Sequence, residues 1–179
     1  MPWTCPNGYS DSRTLQPVVR NLNMFEAAPD WTVREWLNTD RPLSLQDFQG
    51  KVIVIEAFQM LCPGCVSHGL PLAQKIRDTF GADQVAVIGI HTVFEHHDVQ
   101  GGKPALEAFL HEYRYRFPVG IDLRNEGERI PATMGHYEMQ GTPTFVLIDK
   151  KGRRRRQYFG MVSELVIGSE IGQLIAEPL

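Results

Sequence analysis

Two cysteines, three positions apart, carry the most reactive chemistry that this sequence offers. Cys62 and Cys65 enclose the dipeptide Pro63-Gly64, directly after an apolar run. Proline suits the first position of a helix, because the amide that it lacks would be unpaired there, and this places Cys62 at a helix N-terminus. The free amides and the helix dipole stabilise a thiolate, which lowers a cysteine pKa from about 8.5 to roughly 3.5–7.5. The spacing predicts that Cys62 attacks a disulfide and that Cys65 resolves the mixed disulfide.

An acidic residue lies six positions before the first of these cysteines. Glu56 follows the β-branched run 52–55, which is typical of a buried strand. Burial of a carboxyl in such a strand is costly and raises its pKa. From beneath the start of the helix, Glu56 can accept the proton of Cys65 as that thiol attacks. We therefore predict Glu56 as the proton acceptor; the alternative is a strand-end carboxylate that faces the solvent.

Metal binding is the second chemistry that these cysteines permit. A zinc site normally needs another Cys or His pair at similar spacing, and the third cysteine, Cys5, stands apart. Cys5 is either a third redox thiol or incidental to the chemistry. His68 is either a further ligand on the face of Cys65 or a solvated helix residue. The sequence favours a redox pair, and no metal site is predicted.

Histidines also crowd into the segment 91–98, which follows a second apolar run. His91, His96 and His97 lie there together with two acidic residues. Such a segment fits either a metal site or a polar loop at the sheet edge where open α/β proteins bind ligands. The polar loop is the commoner arrangement, and we interpret the segment in that way.

Alternating strand and helix patterns predict the scaffold that positions these residues. The segments 52–55 and 84–91 are predicted as buried strands, joined in parallel by a right-handed crossover. The connecting helix is predicted over 62–80, where apolar residues recur every three or four positions, and Pro71 should kink it. The later elements are predicted as a helix at 103–116, a strand at 117–122, a short helix at 130–137, a hairpin turn at 149–152, a strand at 153–159 and a final helix capped by Ser163.

Other segments carry weaker signals. Trp31, Trp36 and Leu37 are predicted to anchor the core, and the segment 43–48 is predicted as a short strand and turn. The four arginines at 153–156 fit either nucleic-acid binding or a charged edge strand that blocks aggregation, and the second is commoner. The apolar face of the last helix is predicted to comprise Leu165, Ile171, Leu174 and Ile175.

The segment 56–65 resembles the active site of the thioredoxin superfamily. There, a strand carries an acid six residues ahead of the first cysteine, and C-x-x-C opens a helix. The segments 28–32 and 43–51 resemble the opening of the TlpA-like and peroxiredoxin-like (redoxin) branch, with its "A-P-x-[FW]" and "L-x-L-x-D-[FL]-x-G-K" motifs. The segment 141–144, Gly-Thr-Pro-Thr before an apolar strand, is a further signature of the superfamily.

This resemblance implies an architecture and a substrate platform. The expected fold is one thioredoxin-like α/β domain over 27–179, with a central mixed β-sheet flanked by helices and a helical insertion at 93–116. Residues 1–26 would form an N-terminal extension. The bond between Thr142 and Pro143 is expected to be cis and to lie against the C-x-x-C. Thr142 and Pro143 would then form the substrate platform, in which the cis bond turns the Thr142 backbone outward to pair with a substrate chain.

Composition sets broad limits on the partners. With 179 residues and a net charge of -3, the chain suits one full domain and gives no reason to expect nucleic acid. No apolar run approaches the roughly 20 residues of a membrane span. The first residues lack the basic and apolar regions of a secretory signal, so a cytoplasmic location is expected; the alternative is an extracytoplasmic location, if a signal segment has been removed.

The function predicted from these features is thiol–disulfide exchange. The substrates would be thiols and disulfides of proteins, together with an unidentified redox partner, and no cofactor is required. A thiol peroxidase is one alternative, although the Pro-x-x-x-Thr/Ser-x-x-Cys setting of peroxiredoxins is missing. A copper or zinc metallochaperone is the other, in which His136 or His91 would join Cys62 and Cys65.

Overall fold

A mixed β-sheet forms the centre of the structure. The computed structural model describes residues 18–19 and 26–179, and over these residues the sheet has seven strands. In chain order the strands are β1 (Val18–Val19), β2 (Val33–Leu37), β3 (Val52–Phe58), β4 (Val85–His91), β5 (Val119–Asp122), β6 (Thr144–Ile148) and β7 (Arg154–Phe159). Their order across the sheet is β1-β7-β6-β3-β4-β5-β2. The predicted α/β fold with a central mixed sheet is confirmed.

Helices connect and cover these strands. They are a 3-10 helix (Leu45–Phe48), a π-helical turn (Cys65–Gly69), α1 (Leu70–Thr79), α2 (His97–Gln100), α3 (Lys103–Glu112), α4 (Ala132–His136) and α5 (Glu164–Ala176). The predicted insertion between β4 and β5 thus contains α2 and α3. Among the described residues, no helix combines the length and the apolar character that a membrane crossing requires.

Strand β3 is the central strand of the sheet, and every one of its residues is buried. It pairs parallel with β4 and antiparallel with β6, so the predicted parallel pair is confirmed. Side chains alternate between the two faces of a strand. On one face, Val52, Val54 and Phe58 pack with residues of α1, α3 and α5. On the other face, Ile53 and Ile55 pack with residues of α4 and with Trp31.

The helix after β3 differs from its prediction. Instead of one α-helix kinked at Pro71, a π-helical turn over Cys65–Gly69 precedes the regular helix α1. Leu70 closes the wide turn by donating its backbone N–H to the carbonyl of Cys65. Pro71 lies in the first turn of α1, where it has no amide to pair with the preceding turn. The irregularity therefore falls before Pro71, next to the cysteines.

The segment before β3 also differs from its prediction. Leu45–Phe48 is a 3-10 helix, and the predicted short strand is wrong. The Asp47 carboxylate accepts hydrogen bonds from the backbone amide and the hydroxyl of Ser44, at 2.7 and 3.0 Å. This reciprocal capping arrangement stabilises a helical turn over an extended chain. The unpredicted strand β2 pairs with β5 at the sheet edge, with Trp31 and Leu37 buried and Trp36 half-buried.

The segment 153–156 lies at the start of β7, the next-to-last strand on its side of the sheet. Strand β7 pairs with β6 on one side, whereas on the other side the two-residue strand β1 pairs only with Tyr158 and Phe159, and Ala27 forms an isolated bridge to Arg153. The short strand β1 therefore does not extend along the arginines, and their role as a charged edge stays a prediction. The arginines form ion pairs: Arg153 and Arg155 with Asp149, Arg154 with Glu26, Arg155 with Glu177, and Arg156 with Glu170. Gly152, at φ +76°, makes the predicted hairpin turn. These arginines therefore tie β7 to its neighbours.

The last helix shows two further differences. Ser163 immediately precedes α5, but its side chain makes no capping hydrogen bond. Leu165, which was predicted to face the core, is 85% exposed, and Ile167 is buried instead. The helix starts at Glu164, so its inward face is set by Ile167, Ile171 and Leu174.

Candidate active site

Cys62 lies at the junction between β3 and the helix that follows it. The helix begins at Pro63, so the predicted position of Cys62 at a helix start is confirmed. The backbone N–H of Cys65 donates to Cys62 Sγ at 3.2 Å, and Cys62 Sγ lies 3.5 Å from the carbonyl oxygen of Thr142. A hydrogen bond from the Cys65 thiol contributes most to lowering the pKa of Cys62 to about 6, against the opposing effect of partial burial. Cys62 is therefore a thiolate near neutral pH.

The pH dependence of alkylation tests this pKa. With a pKa of about 6, the reaction of Cys62 with iodoacetamide is expected to reach half of its plateau rate near pH 6, because only the thiolate reacts. Mass spectrometry of the Cys62 peptide after timed quenching measures the rate. A half-maximal rate near pH 8.5, as for an ordinary thiol, would contradict the stabilisation of the Cys62 thiolate by the thiol and the amide of Cys65.

Cys65 differs from Cys62 in its surroundings. Its side chain is fully buried, and both cysteines are free thiols in this structure. Burial contributes most to raising the pKa of Cys65 far above that of a free thiol, and the hydrogen bond with Cys62 and the charge of Glu56 raise it further. Cys65 is therefore held protonated, whereas Cys62 is half-buried and accessible.

Glu56 lies in the interior, and the alternative in which it faces solvent is wrong. Its side chain is fully buried in β3, and neither carboxyl oxygen has a hydrogen-bond partner. Burial, followed by the nearby charge of Cys62, raises the pKa of Glu56 well above 4.5. The pKa of this carboxyl thereby moves toward the range of thiols, which eases proton exchange between them.

Gly69 allows the helix to pass directly over this carboxyl. A Cβ at Gly69 would lie 2.1 Å from Glu56 Oε1 and 3.0 Å from Pro143 Cβ. Neither distance accommodates a methyl group, so the close approach of helix, strand and Pro143 requires glycine at this position. The π-helical turn begins at Cys65 and ends at Gly69, and the close contact at Gly69 places this turn directly against Glu56.

Replacement of Gly69 by alanine tests this packing. We expect Gly69→Ala to lower the free energy of unfolding by about 1–3 kcal/mol, because the methyl group overpacks the site. Gly172→Ala is the matched control, since a Cβ there meets nothing on the exposed side of α5 and gains helix propensity. Urea unfolding measures both variants. Equal stability of the two variants would contradict the packing at Gly69.

The Thr142–Pro143 bond is cis, as the resemblance implies. Pro143 is buried, and Thr142 is half-buried beside Cys62. A Cβ at Gly64 would lie 3.3 Å from Pro143 Cδ, so the loop before β6 packs directly against the C-x-x-C turn. The structure thus brings Cys62, Cys65 and Pro143 together.

The histidines do not form a metal site with the two cysteines in the described part of the chain. His91 is fully buried at the end of β4 with both ring nitrogens unpartnered, and burial lowers its pKa to about 4. His68 donates from Nε2 to the carbonyl of Val162 at 2.9 Å. Over residues 18–19 and 26–179, no three His, Cys, Asp or Glu side chains gather as metal ligands would. Cys5 lies outside the described residues.

Two glutamines near the site were not predicted. Gln59 and Gln100 are both buried and hydrogen-bond to each other at 3.0 Å. They are 41 positions apart and lie in segments without a distinctive local pattern. A glutamine next to an apolar strand is the one sequence signal that could have pointed to Gln59.

Most of this chain resembles known proteins in sequence and in structure. The model of the AhpC/TSA family matches residues 24–156. A solved structure of the thioredoxin-like superfamily protein SPOA0173 is 55% identical, with a TM-score of 0.82 over 85% of this chain and 97% of that one. A thiol-disulfide isomerase from Corynebacterium glutamicum is 48% identical, with a TM-score of 0.83 over 88% and 100%.

A curated relative is much longer than this chain. NHL repeat-containing protein 2 of Gallus gallus is 30% identical over 160 residues, which are 87% of this chain and 20% of that protein. The chain therefore spans about a fifth of the length of this relative. The predicted thioredoxin-like, redoxin-type fold is confirmed by the family match and by both solved structures. Because the family model matches most of its length, this chain belongs to the AhpC/TSA family of thioredoxin-like proteins.

Proposed function

We propose that this chain is a thiol–disulfide oxidoreductase that exchanges its Cys62–Cys65 pair with disulfides of protein substrates. One observation carries the proposal: two free thiols three residues apart have opposite electrostatic settings. The pKa of the accessible Cys62 is lowered to about 6, and that of the buried Cys65 is raised. An oxidoreductase of this class needs one thiol ready to attack and a second that stays protonated until it is required. The likeness to a thiol-disulfide isomerase supports the proposal.

The first step forms a mixed disulfide. The Cys62 thiolate attacks one sulfur of the substrate disulfide, the S–S bond breaks, and the other substrate sulfur leaves as a thiolate that takes up a proton. Thr142, whose carbonyl lies 3.5 Å from Cys62 Sγ, borders the point of attack. The backbone of Thr142 would pair with the extended substrate chain and align its sulfur, with Pro143 packed beneath as the platform.

The second step releases the substrate. Cys65 loses its proton to the Glu56 carboxylate and attacks Cys62 Sγ, which forms the Cys62–Cys65 disulfide and expels the second substrate thiolate. The substrate gains two electrons from the chain; one of its protons comes from Cys65, passed on by Glu56, and the other comes from the solvent, because Cys62 starts as a thiolate. Glu56 suits this role because its buried oxygens have no other partner in the structure. A dithiol donor would reduce the pair again; with an oxidising partner the same steps run in reverse.

Exchange with a protein disulfide tests the proposal. The reduced chain is mixed with a disulfide-bonded protein, and the thiols of both are counted by alkylation and mass spectrometry. We expect one Cys62–Cys65 disulfide to form for each substrate disulfide that is reduced. Peroxide in place of the disulfide distinguishes the peroxidase alternative. The proposal would be overturned if Cys62 and Cys65 stay reduced and the substrate stays oxidised, both with substrate disulfides that are easily reduced and with those that resist reduction.

A further inference from the structure

A groove of about 230 Å³ opens beside the attacking cysteine. Its lining includes Cys62 and Thr142, the side chains of Gln59 and Gln100, and three residues of the loop between β4 and α2. These three residues, Phe94, Glu95 and His96, form a wall that is here called the 94–96 loop. Glu95 and His96 are exposed, so this wall presents side chains to any polypeptide that approaches Cys62.

The side chain of Gln59 holds the 94–96 loop in place. Gln59 directly follows β3 and is 4% exposed. Its Oε1 accepts hydrogen bonds from the backbone amides of Phe94 and Glu95, at 3.3 and 3.4 Å, and from Gln100 Nε2 at 3.0 Å. A single buried oxygen therefore gathers three donors from the loop and the helix after it.

Gln100 completes the connection from the other side. It is 1% exposed at the end of α2, and its Nε2 also donates to the carbonyl of Glu95 at 2.8 Å. Its Oε1 accepts from the backbone amide of Leu61 at 3.1 Å, one residue before Cys62. The amide pair thus joins the loop to the turn that carries the nucleophile. Both side-chain oxygens and the Gln100 Nε2 are paired, and such a chain of buried hydrogen bonds favours one geometry of the loop.

The loop itself adopts a defined turn. His96 has φ +52°, a conformation that is uncommon for residues other than glycine. Its carbonyl accepts the amides of Val99 and Gln100, both at 3.1 Å. Hydrogen bonds to Gln59 fix the loop before His96, and the bonds to the His96 carbonyl fix it after His96. The 94–96 loop is therefore held at both of its ends.

We propose that Gln59 and Gln100 are positioning residues that hold the 94–96 loop as a substrate-selecting wall beside Cys62. The wall favours disulfides embedded in a polypeptide, because a chain that runs through the groove contacts both sides of it. A small disulfide reaches Cys62 without touching the loop. This inference rests on the proposed exchange function and concerns the substrates of that same site.

Kinetics with two disulfides test this role. In Gln59→Met, the shape of the side chain is kept and the acceptor is lost, while the bond from Leu61 to Gln100 is retained. We expect the KM for a polypeptide disulfide to rise about tenfold. The rate with 5,5′-dithiobis(2-nitrobenzoate), a small disulfide, is expected to change by less than about twofold. Gln59→Glu keeps an acceptor at the same place and should restore the KM. Gln173→Leu, on the exposed side of α5, is the matched control.

The outcomes separate this inference from the function on which it rests. A rise in KM for the polypeptide alone, reversed by Gln59→Glu, supports the positioning role. An equal loss of rate with both disulfides, or no change with either, would overturn it while the exchange function stands. If the unaltered chain exchanges with neither disulfide, the proposed function fails and this inference fails with it.

Discussion

Replacement of Cys62 by serine is expected to lower the rate of exchange with a protein disulfide by at least about a thousandfold. The reason is the species that attacks. Cys62, with a pKa of about 6, supplies a thiolate near neutral pH, whereas a serine hydroxyl stays protonated and is a poor nucleophile toward sulfur. Stopped-flow detection of substrate thiols measures the loss.

Cys65→Ser is the informative partner of this variant. It keeps the nucleophile and removes the resolving thiol, so it is expected to accumulate a covalent adduct with the substrate. The adduct should be visible by mass spectrometry without reductant and should disappear with dithiothreitol. Activity that survives in Cys62→Ser, or an adduct held by another residue, would assign the chemistry to a different thiol.

Replacement of Glu56 by glutamine is expected to slow the release of the substrate about a hundredfold, because a positioned proton acceptor contributes at least that much. Formation of the mixed disulfide should continue, since Cys62 owes its lowered pKa chiefly to the Cys65 thiol and to other hydrogen bonds. Single-turnover mixing with acid quench separates the two steps. Glu112→Gln, on the exposed side of α3, is the control. Equal slowing of both steps would show that Glu56 is not the proton acceptor.

The same variant should change how stability depends on pH. The folded chain binds the Glu56 proton more tightly than the unfolded chain does, because burial raises the pKa of Glu56 well above 4.5. Stability from this group is therefore complete below about pH 4.5 and declines as the pH rises through the higher pKa of the folded state. Each tenfold difference in proton affinity corresponds to about 1.4 kcal/mol.

Urea unfolding at pH 5 and pH 8 measures this effect. Glutamine does not ionise, so the stability of Glu56→Gln relative to the unaltered chain is expected to improve from pH 5 to pH 8, because the unaltered chain loses the contribution of the protonated Glu56 over this range. A difference between the two proteins that is the same at pH 5 and pH 8 would mean that Glu56 is not perturbed by burial.

The sequence patterns that predicted this fold correctly are local ones. The apolar run of β3, the C-x-x-C and the glycine of the hairpin turn each act through neighbours a few positions away. The cis Thr142–Pro143 bond was implied by resemblance and is present. The burial of Glu56 inside β3 agrees with the prediction made from its place in an apolar run six positions before Cys62.

The features that were missed depend on distant partners or on side-chain hydrogen bonds. Strand β2 contains Arg34 and Glu35, and it is a strand because β5, more than 80 positions later, pairs with it. The segment Leu45–Phe48 is a 3-10 helix because the Asp47 carboxylate accepts a hydrogen bond from the backbone amide of Ser44. The Gln59–Gln100 pair joins residues that no periodicity connects. Tertiary packing decides such positions, so local pattern alone does not predict them.

The redox equilibrium of the Cys62–Cys65 pair tests the central claim most directly. The chain is equilibrated with a series of glutathione buffers, alkylated, and analysed by mass spectrometry of the peptide that contains both cysteines. We expect one reversible two-electron transition, with a potential between about -270 mV, typical of thioredoxin, and about -120 mV, typical of a strong oxidant. If no disulfide forms between Cys62 and Cys65 at any ratio of glutathione to its disulfide, the pair is not a redox centre and the account is wrong.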